Sequence, residues 1–242
     1  MRRLLSLILT VAMVVLSVGA CDAGKKGSGI EGKVVDGKGR PMNGVKLIAK
    51  QVQPLKGYEQ FETKTGSDGT FRFNGVFPSC DYVIRPLAEK LWGQHGEVIS
   101  FTIMSGPRGQ TSMIGRPFEI RFTQSTTGIL TDSKTDLQWV PSNGQTMNHF
   151  QAEAYVQGLG LDDGGWRLPT TIELKEFPGN MGNMRSTLNV MGNWIWSGEL
   201  CSTGALYIGA DGWNGGCRGR DISDSREYAY NFSRVLAVRP QK

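Results

Sequence analysis

Residues 164–177 read GGWRLPTTIELKEF, and several kinds of local structure meet in this short run. Two glycines turn the chain, Trp166 and Leu168 flank Arg167, and Pro169 disfavours the helical region for Leu168, which suits a strand end. Thr170 and Glu173 then stand in the T-x-x-E spacing of a capping box. In that arrangement the Thr hydroxyl accepts from the N3 amide and the Glu carboxylate reaches back to the Thr amide. The spacing predicts a helix from Thr170 to about Phe177, stopped by Pro178 and Gly179. A strand end, a turn and a helix start in one run mark this part of the chain as mixed α and β. Arg167 and Glu173 are also the residue types of acid–base chemistry, but no second carboxylate in a defined relation accompanies them. The reading is therefore capping for Thr170 and Glu173, an internal ion pair for Arg167 and core packing for Trp166.

Upstream of this run, GILTDSKTDLQWV (128–140) predicts two strands around a polar turn. TMNHFQAEAYVQGLGL (146–161) predicts a helix with Met147, Phe150, Ala154 and Gly158 close to one face, ended by Gly158 and Gly160. Downstream come short aromatic runs, NWIWSG, ALYIG, YAYNFS and VLAVRP. Before Gln124 the texture is purely that of strands. VKLIAK places Val45, Leu47 and Ala49 on one face, TFRFNGV does the same with Phe71 and Phe73, and SDG and GKGRPMNG supply turns. About seven such runs predict an antiparallel β-sandwich. The fold class expected is β-rich, a sandwich at 30–123 followed by an α+β domain at 124–242.

Two resemblances refine this. Residues 30–84, with GKVVDGKGRPMNGVKL and then TGSDGTFRFNGVFPSCDYVI, resemble the carboxypeptidase regulatory-like, or transthyretin-like, β-sandwich repeat of bacterial surface and secreted proteins. Cys80 stands where that family usually has Gly. The resemblance implies a spacer or binding unit without an active site. Residues 126–239, with GILTDSKTDLQW, GGWRLPTTIEL, WIWS and the closing VRP, resemble the C-terminal domain of a collagen-like bacterial adhesin, whose fold is related to C-type lectins. Gly165 replaces the family's usual Asp, and VLAVRP stands where R-C-V-R is common. This resemblance implies a C-type-lectin-like fold more firmly than any activity.

The N-terminus, MRRLLSLILTVAMVVLSVGAC, has two arginines, an apolar run and small residues before Cys21. It reads as a signal peptide over 1–20. VGAC resembles a bacterial lipobox, which implies lipidation of Cys21, a tether over 21–29 and stable membrane anchoring. Asp22 implies the periplasmic side of the inner membrane under one bacterial sorting code, and the outer membrane or surface otherwise. The whole chain has 27 basic and 22 acidic residues, a formal +5. The signal segment holds two arginines and no acid, which leaves a formal +3 for the mature chain. The remaining basic residues are dispersed, so nucleic acid is not an expected partner.

Of four cysteines, Cys201 and Cys217 lie close enough in sequence to close a short disulfide loop in an oxidising envelope, worth roughly 3 kcal/mol. Cys80 is left over in this count. Trp194 and Trp196 sit two apart and share a strand face, either as core or as a stacking platform. The Gly-rich, polar segment 209–228 adds Trp213, Asn214, Arg218, Arg220 and Asp221 as ligand-binding candidates. Asp211 and Asp224 are weak Ca²⁺ candidates, and no other cofactor is expected. No hydrolase, P-loop or dinucleotide motif occurs. The function expected is a non-catalytic, lipid-anchored envelope binding protein or adhesin for a glycan or protein. The alternatives are an enzyme of the formylglycine-generating branch of the same fold, and a structural component of an envelope complex.

Overall fold

A computed structural model describes residues 27–88, 90–176, 184–190, 194–209, 215–219 and 233–241. Cys21 and the expected signal segment lie outside them. Among the described residues, no helix is long and apolar enough to cross a membrane.

The first part of the chain builds two sheets that share one core. β1 (Ser28–Asp36) pairs antiparallel with β4 (Thr70–Val76) and parallel with β8 (Thr111–Met113) and β9 (Phe118–Ile120). The second sheet has the order β3-β2-β5-β7, from β3 (Gln60–Lys64), β2 (Lys46–Gln51), β5 (Asp81–Pro86) and β7 (Phe101–Met104). Ile30 and Val34, Leu47 and Ala49, Phe71 and Phe73, and Tyr82 and Ile84 all enter a single apolar cluster. Phe118 ties it together, edge-on to Phe71 at 5.7 Å and to Phe101 at 4.4 Å. Two expectations change here. The pairing is not wholly antiparallel, because the chain returns to β1 along both of its ends in the parallel sense. β1 also begins at the buried Ser28, inside the segment 21–29 expected as a tether.

Cys80 is buried in this core.

The run PFEIRFTQ reads as one strand, but it divides between two sheets. β9 stays with β1, and β10 (Phe122–Gln124) joins a five-stranded sheet of order β16-β12-β11-β10-β6. This sheet contains β6 (Leu91–Trp92), β11 (Leu130–Asp132), β12 (Leu137–Val140) and β16 (Ala237–Pro240). The break falls at Arg121, whose guanidinium makes a two-point contact with Asp132 at 2.8 and 2.7 Å, both side chains buried. A buried charge needs its partner close and hydrogen-bonded, and meeting Asp132 turns Arg121 out of the first core. β6 comes from the sandwich-like stretch yet completes this later sheet, and the expected boundary at 123/124 falls inside β10.

β13 (Trp194–Cys201), β14 (Gly204–Gly209) and β15 (Gly215–Arg218) form an antiparallel sheet in chain order. Strand alternation divides its side chains between two cores. Ile195 and Ile208 join Trp92, Phe122, Leu130, Trp139 and Val238. Trp196 and Ala205 join Val140, Ala152, Val156, Trp166 and Leu168.

The helix expected upstream forms as α1 (His149–Gln157), but on a different face. It buries His149, Ala152 and Val156, while Phe150 is 48% exposed. The start explains the rotation. Asn148 accepts from Gln151 N–H at 2.8 Å and Gln151 Oε1 accepts from Asn148 N–H at 3.1 Å, a capping box that sets the first turn. His149 then points inward, with Nε2 3.0 Å from the Ser197 carbonyl.

Candidate functional site

The GGWRLP run is held in place by residues remote in sequence. Asp162, Asp163, Gly164 and Gly165 have φ of 45°, 66°, 71° and 78°, an extended left-handed stretch that costs backbone energy at its two non-glycine positions. Arg239, 3% exposed, supplies the compensation. Its Nη1 donates to Asp162 O at 2.6 Å and Gly164 O at 2.7 Å, and its Nε donates to Gln138 Oε1 at 2.9 Å. The same guanidinium lies 4.2 Å over the Trp166 ring, whose Nε1 donates to Leu161 O. Arg167 and Val238 exchange backbone bonds at 3.0 and 2.8 Å. The closing VRP thus serves as the clamp on the WRLP turn.

Helix α2 (Thr171–Glu176) begins directly after this turn. Thr170 Oγ1 accepts from Glu173 N–H at 3.1 Å, and Glu173 Oε2 accepts from Thr170 N–H at 2.8 Å. Arg167 grips the same carboxylate at 2.8 and 2.5 Å. Burial pushes the Glu173 carboxyl upward, but the bonds from Arg167 and Thr170 outweigh it and hold the group below its ordinary value. The Arg167 guanidinium is raised in turn, chiefly by its bond to Glu173. This is an ion pair that starts a helix, with neither member poised near neutrality for proton transfer.

The tryptophans predicted as a pair separate in role. Trp196 is 0% exposed, and its Nε1 donates to Met147 O at 2.7 Å, which places it in the core. Trp194 stays partly exposed at the start of β13. Its ring meets Tyr207 edge-on at 4.9 Å, and Arg218 stacks 3.9 Å over Tyr207 and 5.1 Å from Trp194. The register Trp196↔Tyr207 and Ala205↔Arg218 puts these side chains on one face. The Cys201–Cys217 disulfide ties β15 to the end of β13, one residue from Arg218. Trp213, Asn214, Arg220, Asp221, Asp211 and Asp224 lie outside the described residues. Among the described residues no three His, Cys, Asp or Glu side chains gather as a metal site.

The structure adds a cleft that the sequence reading passed over. It has a volume of about 400 Å³ and lies between α1, the WRLP turn and the end of β13. Val156, Trp166 and Leu168 contribute its apolar lining, and Glu153 and Glu199 its carboxylates. Its signal was present in pieces, Glu153 on a predicted helix and Glu199 at the end of a predicted strand, but nothing local brings them together. Another cleft, of about 440 Å³, lies in the first part of the chain and includes Glu97, Val98, Phe101, Arg116 and Glu119. There Arg116 stacks 4.6 Å over Phe101.

No family model matches the chain, and no curated protein matches it. Among solved structures it is similar to the Bacillus anthracis TIE protein, at 9% identity and a TM-score of 0.31, over 40% of this chain and 17% of that one. It is also similar to a DUF3823 family protein of Parabacteroides merdae, at 18% identity and a TM-score of 0.29, over 46% of this chain and 54% of the other. The chain thus spans less than a fifth of the first of these and about half of the second. A third is a Pseudomonas aeruginosa protein named for a proposed carbohydrate-binding role, at 14% identity and a TM-score of 0.28, over 41% of this chain and 92% of that one.

Proposed function

We propose that the protein is a non-catalytic binding protein of the bacterial envelope, anchored through a lipid on Cys21. In this reading a β-sandwich spacer carries a C-type-lectin-like domain that engages a glycan or an envelope protein. The observation that carries it is the edge formed by Trp194, Tyr207 and Arg218, where two aromatic rings and a guanidinium share one partly exposed face. Aromatic faces stack on the C–H side of a sugar ring, and a guanidinium donates in a fixed fork to hydroxyl or carboxylate oxygens. Pinning β15 by a disulfide lowers the conformational cost of holding Arg218 there. The joined Cys201 and Cys217 leave neither sulfur as a thiolate, which supports the non-catalytic reading over a thiol-dependent oxidase.

The test is binding of the full-length protein to glycan and envelope-protein arrays, with Trp194→Ala and Arg218→Ala beside the parent. The expected result is a specific ligand whose affinity drops at least roughly tenfold in each variant. A parent that binds nothing, or variants that bind as well as the parent, would sink the assignment to this edge.

A further inference from the structure

The cleft beneath the WRLP turn has no role in the reading above, and its chemistry differs from that of the aromatic edge. Its floor is apolar, from Val156, Trp166 and Leu168, and carboxylates enter from two elements, Glu153 on α1 and Glu199 on β13. The cation that also lines it, Arg167, is already neutralised by the two-point contact with Glu173, while Glu153 Oε2 lies 3.7 Å from His149 Nδ1. Glu199 uses Oε2 on the Thr171 N–H at 3.0 Å, and Oε1 has no donor among the described residues. Gly198 also lines it, with its N–H tied to Pro169 O at 2.8 Å. A volume of about 400 Å³ is at the small end of ligand pockets, which run from about 300 to 1,000 Å³.

We propose that this cleft binds a primary ammonium group carried on a short apolar stem. The stem lies on Val156, Trp166 and Leu168, where each buried methylene contributes about 0.8 kcal/mol. The ammonium donates to the Glu153 and Glu199 carboxylates, charge-assisted bonds stronger than those a hydroxyl would make. An amino sugar and a lysine side chain both supply this chemistry.

The probe is n-pentylamine, titrated into the full-length protein by NMR or calorimetry with n-pentanol as its uncharged counterpart. The amine should bind roughly tenfold more tightly than the alcohol, and added NaCl should weaken it. Glu153→Gln with Glu199→Gln keeps an acceptor for Thr171 N–H and should remove the amine's advantage. Gln157→Lys, at an exposed position on the rim, places a fixed ammonium at the mouth without touching the core and should weaken the amine as well. Displacement by glucosamine but not N-acetylglucosamine identifies a sugar amine as the source, whereas displacement by a trilysine peptide identifies a protein side chain. The proposal fails if amine and alcohol bind alike, or if both the double variant and Gln157→Lys bind the amine as the parent does. Trp194→Ala should leave amine binding unchanged, so this result stands or falls apart from the aromatic-edge reading.

Discussion

The first sheets and the later part of the chain solve the same problem by different means. Between β1 and β9 one aromatic and aliphatic core serves two sheets, and ion pairs around it, such as Arg40–Asp36 and Arg72–Glu31, have exposed arginines. Such pairs add little, because water competes for the exposed guanidinium. The five-stranded sheet is built from strands of two to four residues, the apolar side chains beyond Arg121 split between two cores, and buried cations hold the parts together. Arg121 joins Asp132, and Arg239 gathers carbonyls from a turn that would otherwise strain. The contrast teaches that a long alternating strand carries its own folding instruction, whereas short segments need specific polar clamps.

The contrast predicts a gradient of mutational cost. Arg121→Met, which strands the buried Asp132 charge, should destabilise by about 3–5 kcal/mol. Trp196→Ala should cost a similar amount through the cavity it leaves, about 3–5 kcal/mol. Both would be read as shifts of the urea midpoint. If either loss falls below that of a surface substitution, the clamp account of the later region is wrong. Replacing Cys201 and Cys217 together by Ser should cost roughly 3 kcal/mol by the loop-closure argument, read by thermal melting of the variant against the parent.

Smaller effects belong to single hydrogen bonds. In the first core the Tyr82 hydroxyl accepts from Phe77 N–H at 3.0 Å, and Tyr82→Phe should cost about 1 kcal/mol or somewhat more, since the amide is buried. Thr170→Ala removes the cap on α2 and should cost about 1 kcal/mol. Glu173 has a depressed folded value, so its contribution is complete above the unfolded carboxylate value of about 4.3. It is lost as pH falls through the lower folded value. Glu173→Gln should therefore flatten that part of the acid limb in a stability-against-pH series, and an unchanged limb would separate the ion pair from stability. The smallest effect should be Arg40→Gln, within about 1 kcal/mol, because the Arg40 side chain is exposed.

Much of this molecule is written in local pattern. Alternation at Leu47 and Ala49 and at Phe71 and Phe73 identifies core-facing positions directly, because the strand period admits only two faces. The T-x-x-E spacing likewise carries its own geometry at Thr170 and Glu173, and the short separation of Cys201 from Cys217 allows their bond. Tertiary structure alone decided the rest. PFEIRFTQ alternates throughout, yet Arg121 finds Asp132 and sends its two halves to different sheets. Phe150 is as apolar as any core residue, yet the Asn148 cap and the buried His149 rotate it outward. Trp194 and Trp196 share a strand face and still diverge, because α1 covers one while Arg218 and Tyr207 lie beside the other. The contacts that decide these cases, Arg121 with Asp132, His149 with the Ser197 carbonyl and Trp196 with α1, run between elements, and no local spacing records a contact that only packing creates.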